Sequence, residues 1–82
     1  MDTDSADRIT QAIAAELRPA RGRKNITRDE LADRSGVSRS SVFRIENAER
    51  EVKMTQLYAL CEAQGVSPSG LLQAAQDALK DD

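Results

Sequence analysis

Arg39 and Arg44 stand five residues apart in a stretch that reads as a short helix, with Ser40 and Phe43 between them. A guanidinium can place two donors on one pair of acceptors, and guanine O6 and N7 form the pair most often read this way. On an ideal helix the two arginines lie about 140° apart around the axis, so they need not meet adjacent bases. Arg44 suits a base edge or a neighbouring phosphate equally. Phe43 falls on the outer side by period. It can meet a thymine methyl, or it can fold back as core or pack under the following loop. Val42 and Ile45 mark the inward face. No enzymatic constellation competes with this surface. The chain has no histidine, no strained nucleophile turn and no phosphate-cradling glycine loop. The Ser40-Ser41 pair has no base near it in sequence and reads as helix surface.

Something must hold that helix. Thr27-Arg28-Asp29-Glu30 is a capping box, a threonine N-cap with a glutamate three residues on that can reach back to the threonine amide. Ile26 and Leu31 can form the accompanying hydrophobic staple. The helix so begun carries Leu31 and Ala32 inward and stops near Ser35-Gly36, glycine being suited to the left-handed residue that ends a helix. Ser38 then caps the arginine-bearing helix. Helix, short glycine-containing turn, helix over 27–46 is a helix-turn-helix, whose second helix is most often held against the major groove of DNA.

Eighty-two residues allow one domain with a small core. A single cysteine excludes a disulfide framework, and with no histidine the usual zinc spacings are absent too. Cys61 reads as a buried small hydrophobe rather than a reactive thiol. One Phe, one Tyr and no Trp argue against a platform for stacking single-stranded bases. No apolar run approaches the length of a membrane span and no signal-peptide pattern occurs, so a soluble, cytoplasmic protein is expected, associated with the nucleoid when bound to DNA. Net charge is −2, but residues 17–53 hold ten Lys/Arg against six Asp/Glu, a net of +4, and the remainder is acidic. A basic middle is what a polyanion meets; charge on helices is as often a merely solvated face.

Residues 1–4 are polar and expected to be disordered. A first helix is expected from about Ser5 to Arg18, with Ile9, Ala12, Ile13 and Leu17 inward. Pro19 then suggests a loop over 19–25 whose cations Arg21, Arg23 and Lys24 lead into the N-terminus of the next helix. That loop is either a basic linker or a phosphate clamp. The central helices bury Leu31, Ala32, Val37, Val42 and Ile45. A fourth helix over 54–64 buries Met54, Leu57, Leu60 and Cys61 and ends at Gly65. Val66 is expected beneath the turn. Ser67-Pro68 opens a fifth helix, which carries Leu71, Leu72, Ala75, Ala78 and Leu79 before a frayed tail at 80–82.

The runs Ile26-Thr27 to Leu31-Ala32, Ser35-Gly36-Val37-Ser38-Arg39-Ser40-Ser41-Val42 and Arg44-Ile45-Glu46-Asn47 resemble the lambda-repressor-like (Cro-type, XRE class) helix-turn-helix family. Gly65-Val66-Ser67 and Leu71-Leu72 fit the same pattern, so the likeness covers about residues 8–72. It implies an all-α, compact five-helix domain spanning 1–82 with a central helix-turn-helix. It implies a transcriptional regulator, a repressor of phage or bacterial type, that binds double-stranded DNA by setting helix three, about 39–46, in the major groove. No cofactor, metal or catalysis is implied. Arg39, Ser40, Phe43 and Arg44 match base-reading positions. Arg28, Ser38 and Asn47 match backbone-contacting ones, Arg50 and Lys53 fall in the next phosphate-facing loop, and Glu46 matches an acidic position of structural role. Three features depart from the pattern. Arg23-Lys24-Asn25 look like extra loop residues, Ala48 replaces a glycine, and Pro19 interrupts helix one.

Two partner questions stay open at this level. Family members bind two-fold operators as dimers, and the stripe Leu71, Leu72, Ala75, Ala78 and Leu79 can either face a second copy or cover one monomer's core. The rival function is a protein-interaction module of the same fold, such as an antitoxin or co-regulator, using the acidic ends.

Overall fold

The computed structural model describes residues 3–80, and they form five helices and no strand. These are α1 (Thr3–Lys24), α2 (Arg28–Ser35), α3 (Arg39–Glu46), α4 (Met54–Gln64) and α5 (Pro68–Lys80). The core is one cluster drawn from all of them: Leu17 from α1, Leu31 from α2, Val42 and Ile45 from α3, Leu57, Leu60 and Cys61 from α4, and Leu71 from α5, with Ile26 and Val37 from the connections. Helices of two turns are marginal alone, so α2 and α3 persist because this cluster buries their inner residues. Cys61 is fully buried, and loss of hydration pushes its thiol pKa up. It is a packing residue, not a nucleophile.

The caps expected from sequence are present. Thr27 Oγ1 accepts from the Glu30 amide at 3.1 Å while the Thr27 amide donates to Glu30 Oε1 at 3.0 Å. These bonds to Thr27 hold the exposed Glu30 carboxyl below its ordinary pKa. Ser38 Oγ accepts from the Ser41 amide, and Ser67 Oγ from the Gly70 amide. Gly36 and Gly65 both adopt positive φ.

Helix α1 departs most from expectation. It begins at Thr3 rather than near Ser5, so residues 3 and 4 are helical; Met1 and Asp2 lie outside the described residues. At the other end it runs through Pro19 to Lys24. There is no loop over 19–24, and Arg23 and Lys24 are helical rather than additions to a loop. The connection to α2 is Asn25, Ile26 and Thr27 alone. Proline inside a helix loses one backbone hydrogen bond and costs about 3 kcal/mol. What offsets it is packing beyond the proline. Ala20 is buried, Arg21 pairs with the buried Glu46, and Ile26 joins the core; neither Ala20 nor Ala14, buried before the proline, is marked by hydrophobic spacing. The stop is at Asn25, whose φ of 58° lets its amide reach the Gly22 carbonyl and lets the Ile26 amide reach Arg21 O. This is a Schellman closure with asparagine in the left-handed place.

The same closure ends α3. Ala48 carries φ 57°, its amide donates to Ile45 O at 3.1 Å, and the Glu49 amide donates to Arg44 O at 2.8 Å. Asn47 stays at negative φ, with its side chain donating to Phe43 O, so alanine takes the strained conformation. Ala48→Gly is expected to stabilise the fold by about 0.5–1 kcal/mol, the left-handed strain relieved less the extra chain entropy of glycine. A rise of a few degrees in a thermal melt is the check, and an unchanged or lower Tm would contradict it.

Burial differs from expectation at three further places. Met54 is 60 % exposed, because as the first residue of α4 it precedes the turn that faces the core. On α5 only Leu71 and Ala75 are buried; Leu72 and Leu79 are half-buried and Ala78 is exposed. Val66 is half-buried. Lys80 is the last residue of α5, and Asp81 and Asp82 lie outside the described residues.

Candidate nucleic-acid interface

Of the eight residues of α3, Val42, Ile45 and Glu46 are buried, Ser41 is half-buried, and Arg39, Ser40, Phe43 and Arg44 are exposed. The four exposed residues line one open groove with Arg28, Asp29 and Glu49. Phe43 is 45 % exposed and stays out of the core. The Arg28 guanidinium stands over its ring, 4.9 Å from the centroid, a cation–π contact that fixes the ring on the surface. Arg44 has no ion-pair partner among the described residues. Arg39 has one: its Nε lies 3.0 Å from Asp29 Oδ1 on α2.

What orients this face lies beneath it. Glu46 is 2 % exposed, and its two carboxylate oxygens are divided between two helices. Oε2 accepts from Arg21 Nε of α1 at 2.7 Å, and Oε1 accepts from Arg28 Nε of α2 at 3.0 Å. Arg21 Nη1 also donates to the Ile26 carbonyl at 3.1 Å. A buried carboxylate is tolerated only when paired and hydrogen-bonded. Here the pairing locks α3 to both preceding helices and carries Arg28 onto Phe43. The structural role expected for Glu46 is visible in these contacts. Its partner Arg21, 25 residues away, was expected at a phosphate instead.

The other cations expected at phosphates are distributed unevenly. Arg28 flanks the α3 groove. Ser38 is exposed at the N-terminus of α3, its hydroxyl engaged by the Ser41 amide, and Asn47 is exposed at the opposite end. Lys53 is exposed just before α4. Arg50 is turned inward. Its Nη2 donates to Gln56 Oε1 at 2.7 Å, and its buried Nε has no acceptor. Gln56 also accepts from the Lys53 amide, so this residue, unremarked by any sequence motif, shapes the α3–α4 connection. Arg23 lies elsewhere, lining a groove between α1 and α5 with Glu16, Val66 and Leu71. The Lys24 ammonium sits against Gly65, 3.3 Å from where a β-carbon there would be. Arg23 and Lys24 therefore flank the α4–α5 junction and do not join the α3 groove as a single clamp. Nothing in the sequence spacing of Asp29 or Gln56 marks its partner, since a first-turn acid and a polar helix residue are ordinary at these places.

Among the described residues no cluster of Cys, Asp or Glu could hold a metal, and no helix is long and apolar enough to cross a membrane. The fold is similar to that of the clp gene regulator ClgR from C. glutamicum, at 33 % identity and TM-score 0.78, over 85 % of this chain and 91 % of that one. A second ClgR structure, from Corynebacterium glutamicum, matches at 33 % identity and TM-score 0.77, over 89 % and 84 % of the two chains. The restriction-modification controller protein C.AhdI from Aeromonas hydrophila matches at 29 % identity and TM-score 0.72, over 76 % and 94 %. No curated protein sequence matches the chain. A helix-turn-helix family model matches residues 17–71, which takes in all of α2, α3 and α4. The chain belongs to the lambda-repressor-like helix-turn-helix family.

Proposed function

We propose that this protein is a sequence-specific, double-stranded DNA-binding transcriptional regulator, a repressor of the phage or bacterial type, that inserts α3 into the major groove. The observation that carries this reading is the exposed row Arg39, Ser40, Phe43 and Arg44 on a helix fixed from below by Glu46. A major groove about 12 Å wide admits one helix, and the residues near the helix N-terminus reach the bases. Family membership and likeness to a gene regulator and a controller protein support the same reading.

In this reading Arg39 meets a base edge, Ser40 and Phe43 its neighbours, and Arg44 a base or the adjacent phosphate. Arg28, Ser38, Asn47 and Lys53 hold the backbone on either side. Arg21 acts through Glu46, on the placement of α3. Arg50 supports the loop that presents Lys53, and Arg23 and Lys24 add to long-range attraction. A two-fold operator bound by a homodimer fits the half-exposed Leu72 and Leu79 and the exposed Ala78 of α5.

Salt dependence tests the proposal. Selection from a random duplex pool supplies the operator, and its binding is then titrated with salt. A log–log slope near −0.9 per neutralised phosphate is expected. The competing reading is a partner-protein module, favoured by Met54 and Tyr58, exposed one turn apart on α4. The absence of duplex binding at low salt would favour that reading and defeat the first.

A further inference from the structure

Asp29 is one of two acids, with Glu49, in the groove that Arg28, Arg39 and Arg44 line. It lies in the first turn of α2, where a carboxylate suits the helix dipole. The dipole accounts for an acid at this place but not for its reach across to α3. Its Oδ1 lies 3.0 Å from Arg39 Nε, with the two side chains 63 % and 77 % exposed. A pair so exposed adds little to the stability of the fold, so its significance lies in what it does to Arg39.

We propose that Asp29 is a positioning residue for Arg39 and thereby a determinant of base preference. This rests on the reading of α3 as the base-contacting helix. Arginine carries its donors in a rigid planar fork. With Nε engaged by Asp29, the two terminal nitrogens keep their donors, and they can serve as the pair that spans guanine O6 and N7. Anchoring the near end of the guanidinium removes part of the rotamer freedom of a long side chain before DNA arrives, so less is lost on binding. Docking also expels water from the groove. A pair that is screened in the free protein strengthens as the surrounding dielectric falls. Asp29 neutralised by Arg39 costs less against DNA than a bare carboxylate would. Lysine could not substitute at 39, since one nitrogen cannot serve carboxylate and base in the same fork geometry.

The experiment uses the full chain, the duplex selected from a random pool, copies of it with each G·C pair exchanged in turn, and a random duplex. Asp29→Asn preserves the size and the helix position, and its melt is compared with that of the wild type. Arg39→Ala identifies the base pair that Arg39 reads. At that pair, Asp29→Asn is expected to lower discrimination about tenfold, while binding to the random duplex stays level or tightens slightly. Adding Asp29→Asn to Arg39→Ala is expected to cause no further loss of discrimination, because the two act as one unit. Asp29→Glu is expected to restore part of it. Equal tightening on operator and random duplex would overturn the proposal, making Asp29 only a competitor for Arg39. Unchanged discrimination with wild-type binding intact would overturn the role of Asp29 alone. Failure of the wild type to bind any duplex would overturn the DNA reading and this inference together.

Discussion

Glu46→Ala is expected to destabilise the fold by about 2–3 kcal/mol. The carboxylate is buried and is the shared acceptor of Arg21 and Arg28. Its removal leaves a void beneath α3 and two guanidinium Nε donors without their acceptor. Removing one partner of a fully buried pair costs about 3–5 kcal/mol. The estimate here is lower because the Arg21 and Arg28 side chains are 21 % and 38 % exposed and can partly turn to water. For a domain of this size the loss corresponds to roughly 10–20 °C in Tm. Glu46→Gln is expected to cost nearly as much, because its amide NH2 is a donor and would face one of the two guanidinium donors with no lone pair to accept the hydrogen bond. Thermal and denaturant melts of both variants decide the matter. A change under about 0.5 kcal/mol would mean that the bracket is dispensable. Below the melting range the alanine variant is also expected to bind duplex less well, since α3 loses its tie to α1 and α2.

Arg39→Ala is expected to act on recognition and leave folding nearly untouched. Its ion pair is exposed and contributes at most about 1 kcal/mol. On the operator, the loss of a guanidinium–guanine contact is worth about 1–3 kcal/mol, or roughly 5- to 150-fold, concentrated at one base pair. On random duplex the loss is expected to be small, that of one cation near the backbone. Lys24→Ala makes the contrast. It is expected to weaken binding slightly and equally on every sequence, because its ammonium sits by Gly65 and away from the α3 groove. Competition binding with single-pair exchanges in the operator measures both. An Arg39→Ala variant that lost equal affinity on operator and random duplex would not be reading a base.

Local chemistry made much of the fold legible. A threonine three residues before a glutamate, a serine before a proline, and glycines at 36 and 65 mark helix ends through hydrogen bonds formed within a few residues. Those bonds are present where the spacing placed them. The division of α3 into Val42 and Ile45 inside and Arg39, Ser40 and Arg44 outside followed from helical period, while the place of Phe43 stayed open until the structure put it outside, under Arg28. The end of α1 did not follow, because two local signals conflicted. Pro19 argued for a break, and the buried Ala20 that keeps the helix going is a small residue with almost no hydrophobic signature. Met54 misled for a related reason: period assigns a face, but at the first residue of a helix the backbone has not yet turned toward the core.

The sequence by itself determined the five helices apart from the bounds of α1, their caps, the helix-turn-helix and the outward place of Arg39, Ser40 and Arg44 on α3, since each depends on neighbours within about four positions. Tertiary structure alone decided what each charged side chain meets. It gave Arg21 and Arg28 to Glu46, Arg50 to Gln56 and Asp29 to Arg39, and it set Lys24 against Gly65. A cation is equally able to meet a phosphate, a carboxylate or water, and only the packing of α1, α2 and α4 around α3 brings one of these within reach.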